Sequence, residues 1–323
     1  MKIVIPDDYQ DIADKLSCFS LIRHHEVVRY TDSVRDLDRL VERLRDADVI
    51  VAIRERVTFS RPLLERLPKL KLIALLGRGA STIDFEACTA LGIPVAMGKS
   101  KSPESPAEHT IALILASRRN IAREAEGMKR GALPSTMAHR LHGSTLGIFG
   151  LGAIGELVAQ GGKGLGMNIL VWGRETSRAK ARAAGYGVAT SQDEFFARAD
   201  IVSLHVRLDK ETLGIVGSED LAQMKPTALL VNTSRAELIR PGALASALRQ
   251  GRPGYAAVDV YESEPVPVDH PLLGMPNVLC TPHSAWAEWE NFELYFRETY
   301  EQIVAFEHGE ALRLANPAVK ARG

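Results

Sequence analysis

Short apolar runs alternate with helical patterns almost from end to end of this 323-residue chain, and that alternation leaves few folds open to it. Runs at 3–5, 49–53 and 70–76 are rich in Val, Ile and Leu with little polar alternation, the pattern of strands covered on both faces. Between the first two, Ser33 predicts the cap of a helix whose apolar positions Val34, Leu37, Leu40, Val41 and Leu44 keep one face, with Arg and Asp on the other. A second series predicts strands at 146–149, 169–172, 201–204, 228–231 and 256–260, separated by segments long enough for helical crossovers. Such repetition implies parallel sheets wrapped by helices. A long helix over 105–127 joins the two series, since no proline follows Pro106 there. Trp286, Trp289, Phe292, Tyr295, Phe296, Ile303 and Phe306 recur at roughly helical spacing after Pro282 and predict a closing helix.

At roughly 150 residues per domain, the length corresponds to about two α/β domains. Lys+Arg and Asp+Glu are both 40, which gives no net attraction to a nucleic acid or an acidic membrane surface. Neither partner is expected. No apolar run approaches the roughly 20 residues that span a bilayer, and the start reaches Asp7 and Asp8 after too few apolar residues for a signal-peptide core. Cys18, Cys88 and Cys280 are odd in number and widely spaced, so neither a disulfide framework nor a metal knuckle is expected. The expected compartment is the reducing cytoplasm.

The strand at 146–149 runs directly into Gly150, Gly152 and Gly155, a G-x-G-x-x-G pattern that opens a helix-compatible stretch. Gly150 permits the tight turn, Gly152 lets the backbone approach a pyrophosphate, and Gly155 allows close helix–strand packing. The amides of the helix start at Ala153 and Ile154 then face the phosphates, aided by the helix dipole. A dinucleotide is the implied cofactor. An Asp or Glu about 20 residues past the glycines ordinarily holds the ribose 2'-hydroxyl, but here Val171-Trp172 is followed by Gly173 and Arg174. Gly173 removes the charge that repels a 2'-phosphate and Arg174 supplies one that binds it, which favours NADP over NAD within an NAD(P) assignment. In the alternative, Arg174 is a solvated surface residue and Glu175 takes the ribose.

Three further segments place a chargeable group at a strand end: Arg235 after 228–232, Glu264 after 256–260, and His283 after Thr281-Pro282. In open α/β sheets ligands bind beyond the carboxyl ends of the strands, so these groups can converge on the cofactor. A histidine suits the proton that must move when hydride is exchanged at a carbon bearing oxygen, and an arginine can meet a carboxylate two-pronged.

With the glycine turn, the order Arg, Glu-Pro, Pro-His resembles the D-isomer specific 2-hydroxyacid dehydrogenase family. The likeness extends from Leu70-Lys71-Leu72-Ile73, through Gly77-Arg78-Gly79 and Ile83-Asp84, to Ala107-Glu108-His109-Thr110, Ser203-Leu204-His205 and Glu211-Thr212. It implies two Rossmann-like, doubly wound parallel-sheet domains: a discontinuous substrate domain at 1–100 and 286–323, and a dinucleotide-binding domain at 101–285, with catalysis in the cleft between them. It implies that Arg235 grips the substrate, that Glu264 partners the catalytic His283, and that Arg78 and Gly79 form a second carboxylate clamp. His205, Thr212, Thr233, Asp259 and Ala285 are placed against the cofactor, His205 with a buried strand-end histidine as its alternative. A homodimer through the cofactor domain is also implied.

The chain departs from the family pattern at Arg78, Pro106, Arg207, the 131–134 loop and Ser284-Ala285-Trp286. The substrate is therefore a small D-2-hydroxy or 2-oxo acid left open among 3-phosphoglycerate, hydroxypyruvate and glyoxylate. Arg54 and Arg56 stand where phosphoglycerate dehydrogenases of the family bind phosphate, or else form a solvated cluster balanced by Glu55. A dinucleotide-sensing, corepressor-like binding protein is the alternative to an enzyme.

Overall fold

The computed structural model describes residues 1–53, 56–78 and 82–320. The chain divides into two compact units, one of Met1–Lys101 with Glu288–Gly323, the other of Ser102–Ala287. Each is built on its own parallel sheet.

In the first unit the elements run β1 (Lys2–Ile5), β2 (Glu26–Arg29), α1 (Leu37–Leu44), β3 (Val49–Ala52), α2 (Arg61–Leu64), β4 (Leu72–Leu75), α3 (Phe85–Ala90) and β5 (Val95–Met97). The order across the sheet is β2-β1-β3-β4-β5, every pair parallel. β3 and β4 are buried at all positions, as their unbroken Val, Ile, Ala and Leu composition requires. α1 differs from the expectation at its start: Asp36, not Ser33, caps it, accepting from the Arg39 amide at 3.0 Å. Leu40 and Leu44 are buried while Leu37 lies exposed at the first turn.

The second unit begins with α4 (Glu104–Arg118) and α5 (Ile121–Lys129). The single helix expected over 105–127 is thus two, because Asn120 between them takes a left-handed backbone conformation, φ 53°, which a short polar side chain tolerates and a helix does not. There follow β6 (Thr145–Phe149), α6 (Ala153–Gly164), β7 (Asn168–Trp172), α7 (Glu175–Ala183), β8 (Gly187–Val188), α8 (Gln192–Arg198), β9 (Ile201–Leu204), α9 (Ser218–Gln223), β10 (Leu229–Asn232), α10 (Ala243–Arg249), β11 (Tyr255–Val258) and β12 (Val278–Cys280). The sheet order is β12-β11-β10-β9-β6-β7-β8, parallel throughout. The chain winds outward one way from β6 and then the other, so the switch point lies between β6 and β9, where ligands of such sheets bind. The buried Arg118 guanidinium anchors α4 to this sheet by donating to Thr227 O at 2.7 Å and Asp200 O at 2.5 Å.

α11 (Trp289–Glu307) returns to the first unit. Phe292, Tyr295, Phe296 and Ile303 lie on its buried face, as the aromatic spacing predicts, and Tyr300 joins them, whereas Trp289 is exposed and Trp286 precedes the helix. Its buried Glu298 accepts from the Lys99 amide at 2.8 Å, the Ser100 amide at 3.1 Å and the Ser100 hydroxyl, satisfying the main chain that leaves β5.

Candidate active site

Parallel pairing explains why chargeable residues far apart in the sequence come out on one edge of the second sheet. Phe149 is in register with Leu204, Leu204 with Asn232, Asn232 with Val258, and Val258 with Cys280. The segments that follow β6, β9, β10, β11 and β12 therefore leave the sheet side by side at its carboxyl end. They carry the glycine turn, His205, Thr233 with Arg235, Asp259 with Glu264, and His283.

At the turn, Gly150 has φ 98°, a conformation that favours glycine. A Cβ on Gly155 would lie 2.3 Å from Gly150 O, so only glycine lets α6 approach β6 this closely. Gly152 caps α6 without a side chain, and a Cβ built on it meets nothing within 4 Å. The amides of Ala153 and Ile154 meet no acceptor among the described residues. Open space in front of unpaired helix-start N–H groups fits a dinucleotide pyrophosphate.

Gly173 (φ 142°) closes the end of β7 against Gly150, with room for only a 3.5 Å approach between its notional Cβ and that residue's N and Cα. Arg174 caps α7 at the surface, where Asp209 and Glu211 hold its guanidinium at 3.0 and 2.7 Å. Arg178 lies with its guanidinium 5.2 Å from the Trp172 ring centroid and 3.0 Å from Glu175. His205 flanks the turn, its main-chain carbonyl 2.9 Å from a notional Gly150 Cβ. Its Nε2 is 2.9 Å from Ser203 Oγ, and burial pushes its pKa down to about 4, so the ring is neutral near pH 7. Thr212 turns inward: its hydroxyl donates to Arg207 O at 2.6 Å and accepts from the Asp209 amide at 2.8 Å, closing the loop after β9.

His283 and Glu264 meet. The Nδ1–H of His283 donates to Glu264 Oε2 at 2.8 Å, while Glu264 Oε1 accepts from the Tyr261 amide at 3.1 Å. One carboxylate oxygen fixes the loop and the other holds the imidazole. Tyr261 in turn donates its hydroxyl to Thr281 O at 3.0 Å, joining the loops after β11 and β12. His283 itself has φ 51°, a left-handed conformation uncommon outside glycine. The fully buried Asp259 sustains it from both sides. Asp259 Oδ1 accepts from the Thr281 hydroxyl at 2.5 Å and the Ser284 amide at 2.9 Å, and Oδ2 from the Ala285 amide at 2.9 Å. Burial works to raise the Asp259 pKa, but these bonds and His109, 3.3 Å from Oδ1, outweigh it and bring it below the ordinary carboxylate value.

Ala285 is buried and its carbonyl accepts from Ser105 Oγ at 2.8 Å, a link to the start of α4. The Thr110 hydroxyl donates to Pro106 O at 2.6 Å, which leaves the Thr233 hydroxyl as the donor in their 2.8 Å bond. Arg235 is half-buried; its main-chain carbonyl is tied to Asn232 Nδ2 at 2.8 Å and its guanidinium donates to Ser234 O at 2.7 Å. His109, Thr281 and Ser105 were not singled out from the sequence as site residues. His109 lay within a helix-start stretch, but nothing local announces a partner some 150 positions away.

In the first unit, Arg78 is exposed. Arg54 and Gly79 lie outside the described residues. Arg56 does not belong to a solvated cluster: it is buried, donates to Asp7 O and to Gln10 Oε1 at 2.8 Å, and stacks 4.3 Å from the Tyr9 ring centroid. Burial lowers its pKa to about 10, leaving it a structural cation.

Residues 111–285 match the family model described as D-isomer specific 2-hydroxyacid dehydrogenase, NAD binding domain. The chain is 36% identical over 297 residues to D-3-phosphoglycerate dehydrogenase of Methanocaldococcus jannaschii, covering 89% of this chain but 56% of that protein. It thus spans little more than half the length of that relative. Against glyoxylate reductase of Aeropyrum pernix it is 36% identical over 284 residues, 84% of each chain. Among solved structures, phosphoglycerate oxidoreductase from Vibrio cholerae superposes with a TM-score of 0.91 at 45% identity, covering 96% of this chain and 99% of that one. The sheet whose edge carries the glycine turn and the His283–Glu264 pair is an NAD(P)-binding domain, and the chain belongs to the D-isomer specific 2-hydroxyacid dehydrogenase family.

Proposed function

We propose that the protein is an NAD(P)-dependent oxidoreductase that interconverts a small D-2-hydroxy acid and its 2-oxo acid. The observation that carries this reading is the His283–Glu264 hydrogen bond of 2.8 Å on the same sheet edge as the dinucleotide turn. When bound, the nicotinamide supplies or accepts the hydride at the substrate's C2. Glu264 holds the Nδ1–H of His283 and so directs Nε2 outward, where it gives a proton to the C2 oxygen in reduction and takes one in oxidation. Arg235 meets the substrate carboxylate, keeping its charge throughout. Asp259, through Thr281, Ser284 and Ala285, positions the His283 loop. Arg54, Arg78 and Gly79 keep the substrate-binding roles that the family likeness suggests.

Within this reading the relatives named above make 3-phosphoglycerate and glyoxylate the first substrates to assay, and the family likeness adds hydroxypyruvate. Purified protein oxidising NADH or NADPH in the presence of one of the 2-oxo acids supports an enzyme. Cofactor binding without turnover across the panel leaves the dinucleotide-sensing alternative and overturns the proposal.

The proposal includes a preference for NADP, supported by Gly173 in place of an acid and by Arg174 at the start of α7. It includes a homodimer formed through the second unit, supported by the exposed apolar side chains of Met128 in α5 and of Leu133 and Met137 beyond it; sedimentation as a monomer at micromolar concentration contradicts it. It includes a reducing, cytoplasmic location, supported by three free thiols, of which Cys18 and Cys88 are buried with their pKa values pushed up to about 12; export of the protein in cell fractionation contradicts it.

A further inference from the structure

The first unit carries a cluster that hydride transfer does not use. His24 and His25 lie just before β2, and Glu307 is the last residue of α11. The Nε2 atoms of His24 and His25 stand 3.3 and 3.4 Å from the same oxygen, Glu307 Oε2. The two rings overlap at a centroid distance of 3.9 Å, and the three donor atoms all lie within 4.8 Å of one another.

An ion pair is a poor account of this arrangement. The His25 side chain is 5% exposed; its Nδ1 lies 3.4 Å from the Met1 amino nitrogen, while its buried Nε2, 3.4 Å from Glu307 Oε2, makes no hydrogen bond, a state that native interiors rarely leave uncompensated. Two imidazoles and a carboxylate are a ligand set for a divalent transition metal rather than for calcium or magnesium. The spacing agrees. Zinc bonded at roughly 2.0–2.2 Å in tetrahedral geometry separates neighbouring ligand atoms by about 3.3–3.5 Å.

We propose that His24, His25 and Glu307 form a binding site for a divalent transition metal, with zinc the representative cation and a fourth position left to water. Bound there, the metal ties the segment before β2 to the end of α11. His24 and Glu307 are 283 positions apart, and both chain segments of this discontinuous unit are held by one ion. Its role is structural, and it is independent of the hydride chemistry.

The test is zinc titration of the full-length, chelator-treated protein by calorimetry, with cobalt(II) absorption reporting the coordination. The expected result is one tight equivalent per chain, retained in His283→Ala and weakened at least about tenfold in His24→Gln and Glu307→Gln. The melting temperature should rise with zinc in the wild type and not in those two variants. Both substitutions are at partly exposed positions, so the test stands even if His25→Gln fails to fold. Zinc affinity unchanged in His24→Gln and Glu307→Gln, or no tight equivalent in the wild type, overturns the site.

Discussion

At the scale of single residues, the position of His283 is held by groups that do not themselves react. Glu264 and Asp259 divide the work: the first binds the imidazole, the second pins the strained loop that presents it. Strand-end placement indicated only that His283 and Glu264 could converge on the cofactor, and their pairing was what the family likeness implied. The commitment of both Asp259 oxygens to Thr281, Ser284 and Ala285 could not be anticipated, because hydrogen-bond partners are set by three-dimensional register. Arg56 shows the same limit, since a charge cluster in sequence says nothing about which member is desolvated. Arg174 was legible as a cation in the right place, but the carboxylates of Asp209 and Glu211 that hold it were not. A 2'-phosphate must compete with that pair. Arg174→Ala should therefore raise the KM for NADPH by about tenfold or more while changing that for NADH little. Asp209→Asn with Glu211→Gln should shift the ratio toward NADPH. Equal effects of Arg174→Ala on both cofactors would remove the NADP preference.

Elements follow from patterning where burial is two-sided and become obscure where it is not. β3 and β4 are unbroken apolar runs and β6, β9 and β10 nearly so, and all five could be read directly. β2 and β12, each at a sheet edge, are partly exposed and short, and carry too little apolar signal to be found. The break at Asn120 and the cap at Asp36 depend on single backbone conformations that periodicity does not encode. The α6–β6 contact is the element on which cofactor binding rests. Gly155→Ala places a methyl group where Gly150 O already stands, so the helix must move away from the turn. We expect a loss of about 1–3 kcal/mol in stability and a cofactor Kd weakened in parallel; denaturant melts and fluorescence titration of NADH measure both, and wild-type values for each would show that the close packing is not required. In the first unit, Glu298 fastens α11 to the exit of β5. Burial raises its pKa, but the bonds from Ser100 and Lys99 outweigh it and lower it overall. Its contribution is therefore present above the unfolded carboxylate pKa of about 4.3 and is lost as pH falls through the lower folded value. Glu298→Gln should cost about 1–3 kcal/mol at pH 7, and the gap to wild type should close in melts carried below pH about 4. A gap that persists unchanged in acid would show that ionisation of Glu298 is not what matters.

The whole molecule consists of two parallel-sheet units with different strand orders; each winds outward in both directions, the first from β1 and the second from β6, and the dinucleotide turn stands at the switch point of the second. The alternation of elements made that class of architecture legible, while the order within each sheet emerged only in three dimensions. The proposed function is hydride exchange at a carbon bearing oxygen, with the proton assigned to one imidazole, that of His283. The most direct test is the turnover of His283→Ala with the best 2-oxo acid, measured together with its NAD(P)H affinity. Loss of general acid–base catalysis should lower kcat by about 100- to 10,000-fold, with the cofactor Kd unchanged because the glycine turn is untouched. A variant that keeps wild-type kcat would show that His283 does not move the proton, and the account of the site built on its bond to Glu264 would fall.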